Sequence, residues 1–331
     1  MPTPPNVGVG RACQRSPVGT ATSRSPSEDR SSAQRTIAAT GRAAIVTAAV
    51  MARRVVPGEA TRLREMAVYG DLYRYRELFA SLFQRDLRAK YKGSVLGLFW
   101  TLALPVTLML VYLVVFSVMW KSPTTEVDHY WMFLLCGLPP WVFFATSLQS
   151  SARSLLENAS LIRKVRFPRQ LVPLSIVATQ LVAFAVMTAI VIVLAMIVLP
   201  GSRATAWLAI PIAAVIVLFV SGLSLAVASA NAIYRDIEFV IAALLLPLFF
   251  LTPILYSLQA LPGADAHPWL IDLIQWGNPL TPVIECFRTP LFLGEVPSTG
   301  DLVYLLVETV VALVLGAWIF TSVDDRIAAE V

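Results

Sequence analysis

Five runs of the sequence, Val95–Trp120, Tyr130–Leu148, Leu171–Leu199, Ala204–Ala230 and Phe239–Leu258, contain no Asp, Glu, Lys, Arg or His. A sixth, Leu302–Val323, carries Glu308 alone. Each run is about 20 residues or longer, the length a helix needs to cross a hydrocarbon core of ~30 Å. Inside lipid an isolated segment must satisfy its own backbone groups, which makes each run helical. Composition agrees: 57% of residues are hydrophobic and 14% charged, where a soluble domain carries about a quarter. The chain therefore reads as an all-α integral membrane protein with six transmembrane helices. Pro105, Pro247 and Pro253 kink their runs, and Pro139-Pro140 is expected to break the second run midway.

The flanks differ. Residues 1–65 are rich in Ser, Thr, Pro, Ala and Arg without a sustained apolar period, and read as a disordered tail or a mis-called start, with Met51 or Met66 as alternative first residues. The membrane domain is then 66–331. Residues 71–92 place Leu72, Tyr75, Phe79, Leu82 and Phe83 on one helical face and Arg74, Ser81, Arg85, Arg88 and Lys92 roughly opposite, with Arg76, Asp86 and Lys90 off the pattern. A basic amphipathic helix with aromatics on its apolar face suits the headgroup layer; a helix packed on another protein is the other reading. Between the fifth and sixth runs, two semi-apolar stretches of about ten residues are too short to cross and suit re-entrant or interfacial helices.

Orientation follows from the basic residues. Of the 26 Lys and Arg, 16 precede residue 95. Arg153, Arg163, Lys164, Arg166 and Arg169 lie between the second and third runs; Lys121, Arg203 and Arg288 fall on the opposite side. Both termini are thus expected in the cytoplasm, with the plasma membrane as the location.

The loop "ENASLIRKVRFPRQ" (Glu157–Gln170) is then cytoplasmic. As a helix starting near Ser154 it sets Leu155, Ala159 and Ile162 on one face, beside Leu156, with Glu157, Ser160 and Lys164 opposite. Phe167-Pro168 ends it, because the residue before proline is pushed out of the helical region. Its arginines either fix topology and grip anionic lipid or belong to a docking element for a partner that moves the spans.

Some chemistries are missing from the sequence. There is no G-x-x-x-x-G-K-[ST] phosphate loop, so the chain does not hydrolyse ATP itself, and no H-E-x-x-H or G-x-S-x-G motif. Cys13, Cys136 and Cys286 lack metal-ligand spacing. No catalytic or metal-binding set is expected. Glu308 is a functional acid, a polar contact to a neighbouring helix or a snorkelling group; one carboxylate poorly supports a proton relay.

"RDLRAKYKGSVLGLFWTLALP" (Arg85, Asp86, Tyr91, Lys92, Ser94, Leu96, Gly97, Trp100, Pro105), "NASLIRKVRFPRQLVPL" (Asn158, Leu161, Ile162, Lys164, Phe167, Pro168), "YRD" (Tyr234, Arg235, Asp236), "PILYS" (Pro253, Tyr256) and "NPLTPVIECFR" (Asn278, Pro279, Arg288) stand in an order that resembles the permease subunit of ABC-2-type exporters. The branch is the one that exports lipid-linked polysaccharides such as O-antigen, capsule, teichoic acid or galactan. The resemblance covers about residues 70–325. It implies a permease homodimer above two copies of a separate ATPase, which binds the ATP and Mg; this chain needs no cofactor. It also implies a coupling helix (Leu155, Asn158, Leu161, Ile162, Arg163, Lys164, Arg166, Phe167, Pro168) aided by the Tyr234–Asp236 loop, and a gate helix (Tyr75, Phe79, Phe83, Arg85, Arg88, Tyr91, Lys92). A channel between the first and fifth spans would offer Phe99, Trp100, Tyr112, Phe116, Phe249, Phe250 and Tyr256 to sugar rings. Nucleic acid is not an expected partner; membrane lipid is. The alternatives are a drug or lipid permease, and an intramembrane enzyme on lipid-linked sugars using Asp272, Glu285 and Arg288.

Overall fold

The computed structural model describes residues 75–92, six positions between 103 and 114, 129–165, 167–258 and 268–330. Among them every element is helical: α1 (Arg76–Tyr91), α2 (Tyr130–Glu157), α3 (Ala159–Lys164), α4 (Leu171–Val198), α5 (Ala209–Ile233), α6 (Ile237–Leu251), α7 (Pro268–Gly277), α8 (Leu280–Arg288) and α9 (Thr299–Glu330). The first apolar run, with Phe99, Trp100, Tyr112 and Phe116, lies largely outside the described residues, as do residues 1–74.

Four of these helices are long and apolar enough to cross a membrane: α2, α4, α5 with the 3-10 turn before it, and α9. They differ in position. In α2, 72% of the most apolar window is buried, against 22% in α9, so α2 is the hub and α9 the periphery. Met132, Leu134, Leu138 and Phe143 of α2 are at most 1% exposed. Phe143 stacks on Phe184 of α4 at 4.7 Å, and Phe184 meets Phe287 of α8 at 6.1 Å. Lipid tails are as apolar as these side chains, so the bundle is held by close packing more than by water exclusion.

The expected break at Pro139-Pro140 does not occur: α2 runs unbroken through both prolines. Two prolines forfeit two backbone hydrogen bonds, but unwinding at membrane depth would orphan several more, each costing several kcal/mol. Both rings are also buried, so neighbouring helices confine the segment. Continuity is the cheaper outcome.

The tightest crossing joins α5 and α9. A Cβ added to Gly222 would lie 2.5 Å from the Ala312 carbonyl carbon and oxygen, and one added to Gly316 would land on the Gly222 carbonyl oxygen. The Ala312-x-x-x-Gly316 pair therefore lets two backbones touch, the small-residue packing of membrane helices. At the start of α9, Ser298 Oγ accepts from the Asp301 amide at 3.0 Å and donates to its carboxylate at 2.7 Å, a reciprocal cap.

The fifth apolar run departs from a simple span. Its helix, α6, is 15 residues, about 22 Å at 1.5 Å per residue, and stops at Thr252, whose ψ of 135° is extended because Pro253 follows. Residues Thr252–Leu258 continue as irregular backbone. The two short stretches after it form α7 and α8, 10 and 9 residues long, as their length predicts.

Candidate functional site

The helices α2 and α5 end, and α4 and α6 begin, at one end of the bundle, where α1 and α3 also sit. The loop helix is shorter than its sequence suggests. Leu155 belongs to the last turns of α2, fully buried, and α3 begins only at Ala159, because Asn158 terminates α2: its amide and its Nδ2 both donate to the Ser154 carbonyl, at 3.2 and 2.8 Å. The helix ends at Lys164, with Val165 extended at φ −129° and ψ 131°, before Phe167-Pro168 takes effect. Both apolar flanks of α3 are covered. Leu161 and Val165 pack with Leu78, Leu82 and Leu171; Ala159, Ile162 and Phe167 pack against Leu155, Val172, Leu225 and Phe320. What remains outward is polar: Arg153, Glu157, Ser160, Arg163 and Lys164 are exposed. Pro168 is half-buried, and Arg166 lies outside the described residues.

Helix α1 covers this loop with the stripe Tyr75, Leu78, Phe79, Leu82 and Phe83, of which Leu78 and Leu82 are buried. Its apolar side therefore faces its own chain. Asp86 extends the same stripe by one turn and accepts from Ser175 Oγ of α4 at 3.0 Å while pairing with Arg85 at 2.7 Å. Lys90 reaches Gln180 Oε1 at 2.5 Å, and Gln180 Nε2 donates to Ser150 Oγ of α2 at 3.1 Å. Two of the three residues off the amphipathic pattern, Asp86 and Lys90, thus give α1 its polar contacts with the spans. Partial burial lowers the Lys90 pKa from the usual lysine value. Arg85, Asp86, Lys90, Ser150 and Gln180 line a crevice of about 540 Å³ between α1, α2 and α4. Arg88 and Lys92 face outward, and the Tyr91 side chain lies outside the described residues.

The second loop, Tyr234–Asp236, is exposed between α5 and α6. Buried Asn231 ties it down, donating from Nδ2 to the Ala152 carbonyl at 2.8 Å and accepting from the Glu238 amide at 2.9 Å. Sequence reading passed over Asn231; the only signal was an amide near the end of an otherwise apolar run.

A second constellation lies against the first two turns of α2. Arg288, 2% exposed, donates from Nη2 to the Pro253 carbonyl and from Nη1 to Glu285 at 3.3 Å, and its guanidinium sits 3.9 Å from the Phe133 ring centroid. Asn278 Nδ2 donates to Thr252 Oγ1 at 2.9 Å, and Tyr130 donates to the Leu255 carbonyl at 2.6 Å. The "PILYS" and "NPLTPVIECFR" motifs thus meet, one supplying irregular backbone and the other partners for it, as backbone buried away from water requires. Asp272 is exposed on α7 with no hydrogen bond or ion pair among the described residues, so the structure does not assemble Asp272, Glu285 and Arg288 into one site.

Of the channel candidates within the described residues, Phe249 is buried against Trp141 at 5.2 Å, Phe250 is 53% exposed, and the half-buried Tyr256 hydroxyl reaches the Phe250 and Leu251 carbonyls at 3.2 and 3.1 Å.

Residues 77–292, from α1 through α8 and the π-turn after it, match the model of the "ABC-2 type transporter" family. The chain belongs to the ABC-2 transporter family. It is 31% identical over 264 residues to an O-antigen export system permease protein of Myxococcus xanthus, covering 79% of this chain and 98% of that one. A permease of the same name from Klebsiella pneumoniae is 31% identical over 255 residues, covering 76% and 94%. The polysialic acid transport protein KpsM of Escherichia coli is 24% identical over 250 residues, covering 74% and 93%. The family match takes in α1, α3, the Tyr234 loop and the Arg288 cluster. An ABC-2 membrane subunit of this kind spans the membrane with several apolar helices and acts in transport.

Proposed function

We propose that the chain is the membrane-spanning subunit of an ATP-driven exporter that moves a lipid-linked polysaccharide from the cytoplasm across the bacterial plasma membrane. The observation that carries this reading is α3: a six-residue helix, apolar flanks covered, that turns Arg163 and Lys164 outward from a bundle whose chain has no phosphate loop. Work against a gradient then enters from a separate ABC ATPase, which binds ATP and Mg and seats against α3 and the Tyr234–Asp236 loop. The arginine-rich end is cytoplasmic by the distribution of Lys and Arg, which places both termini inside. Relatives named for O-antigen export and polysialic acid transport favour a glycan cargo over a drug or a simple lipid.

Two copies form the translocation path. On α6, Phe239, Leu246 and Phe250 are all more than half exposed and share one helical side, a face for the partner copy and the first span. Phe250, Tyr256 and the aromatics of the first span would then meet the glycan, and α1 would gate entry at headgroup level.

The charge reversal Arg163→Glu with Lys164→Glu tests the docking role. Membrane insertion should be unchanged, while co-purification with the ATPase and substrate-stimulated hydrolysis are lost. Unchanged co-purification and transport would overturn it. Deletion of the gene should accumulate lipid-linked glycan inside the cell; accumulation of a drug or another lipid instead would favour the alternative cargo.

A further inference from the structure

We infer that Asn231 is the positioning residue through which displacement of α3 reaches α6, an inference that rests on the ATP-driven permease reading above. Asn231 lies near the end of α5 and is fully buried. Its two bonds point in two directions. Ala152, the acceptor, lies in α2 five residues before Glu157, the last residue ahead of the Asn158 hinge into α3. Glu238, the donor, is the second residue of α6.

A helix start leaves four backbone amides without intrahelical partners, and the N-cap side chain normally takes one. Asp236, at the N-cap of α6, makes no such bond. Asn231 does it instead, from the neighbouring helix, seven residues back. The cap of α6 is therefore not local: it is held by a side chain whose other arm grips α2. Only a side-chain amide donates with one arm and accepts with the other in this fixed geometry; a carboxylate lacks the donor and an aliphatic chain lacks both.

The mechanical consequence follows from what surrounds the link. The polar surface beyond it, Tyr234, Arg235 and Asp236, is exposed, and α6 buries chiefly Leu245 and Phe249, two turns or more further on. A push on α3 moves the end of α2 and hence Ala152. Asn231 then draws the first turn of α6 with it, and α6 is the helix that presents Phe250. A residue that merely stabilised the fold would lower yield or melting temperature without changing how much cargo moves per ATP.

The test uses the full permease–ATPase complex in proteoliposomes. Asn231→Leu should leave the complex assembled and hydrolysing ATP but lower transport per ATP about tenfold, the size of an ordinary coupling between sites. A second measurement keeps the native Asn231. With the three cysteines replaced, spin labels at Arg153 and Val240, both exposed, report the distance across the link. It should stay constant between nucleotide-free and vanadate-trapped states, and should change between them in Asn231→Leu. An unchanged transport-to-ATP ratio in the variant, or a distance that shifts while Asn231 is present, overturns the assignment. An unsubstituted complex that hydrolyses ATP without moving glycan sinks the functional reading itself, a separate result.

Discussion

Arg153, Arg163, Lys164 and Arg235 stand exposed at the end of the bundle where α2 gives way to α3, whereas Arg288, beside Phe133 near the start of α2, is 2% exposed and occupied by a carbonyl, a carboxylate and an aromatic face. At the first location charge stays in contact with solvent or headgroups, and beside their apolar packing the elements share a few neutral or solvent-open polar contacts: Asp86 to Ser175, Lys90 to Gln180, Asn231 to Ala152. At the second, a cation has been withdrawn from water, and one of its donors is spent on the irregular backbone after α6. The contrast separates a region whose few polar links lie beside apolar packing from a block in which a buried charge ties three segments together. Docking suits the former, and holding open a helix break suits the latter.

The largest effect should come from the block. Arg288→Ala removes the partner of the Pro253 carbonyl and of Glu285 and empties the space against Phe133. Breaking a buried charge pair by deleting one member costs about 3–5 kcal/mol; partial exposure of Glu285 places the expected loss at the lower end. It should appear as loss of monodisperse protein in detergent or a fall in melting temperature of several degrees, and Arg288→Lys should recover only part, since one ammonium cannot serve three directions. A variant as stable as the parent would mean the break after α6 is held by packing alone.

Asn278→Ala probes the same block through a neutral bond. Its Nδ2 reaches Thr252 Oγ1 and its Oδ1 accepts from the Leu280 amide at 3.1 Å. Hydrogen bonds between membrane helices average about 0.6 kcal/mol and reach about 1.7, so a loss of about 1–2 kcal/mol is expected for the two together in thermal unfolding. A loss equal to that of Arg288→Ala would show that hydrogen bonding, and not charge, holds the block together.

Much of the fold was legible because lipid imposes a simple rule on sequence. Apolar runs of about 20 residues with at most one charged residue reveal α2, α4, α5 and α9, and α7 and α8 follow from stretches too short to cross. The unbroken α2 was not legible, since the rule that proline ends helices is learned in water, where a released carbonyl finds a new partner. The start of α3 was misjudged for a related reason: the apolar phase runs smoothly from Leu155 into Ile162, and only the Asn158 side chain folding back on Ser154 separates the helices. Asp86, Lys90 and Asn231 were the harder part. Their partners lie 89, 90 and 79 residues away, so no local pattern exposes them. In α1, however, the departures from amphipathic order were themselves the signal: Asp86 and Lys90 break the stripe at the points where α1 meets polar groups of α4.

The smallest effect should come from the exposed end. Asp86→Asn removes the partner of Arg85, whose side chain is 39% exposed, while the amide oxygen can still accept from Ser175. An ion pair so open to solvent is worth about 0.2–1 kcal/mol and is screened by salt. Stability should therefore fall by less than about 1 kcal/mol at low ionic strength, and the difference from the parent should vanish in molar salt, where the Debye length is ~3 Å. Asp86→Leu takes away the acceptor as well and leaves Ser175 Oγ with only its bond to the Val172 carbonyl at 2.8 Å; that variant should loosen α1 from α4 without affecting the Arg288 block, seen as faster hydrogen exchange confined to residues 76–91. Exchange that instead spreads into α8 would mean the two regions unfold together, and the separation between a solvent-open end and a clamped block would fail.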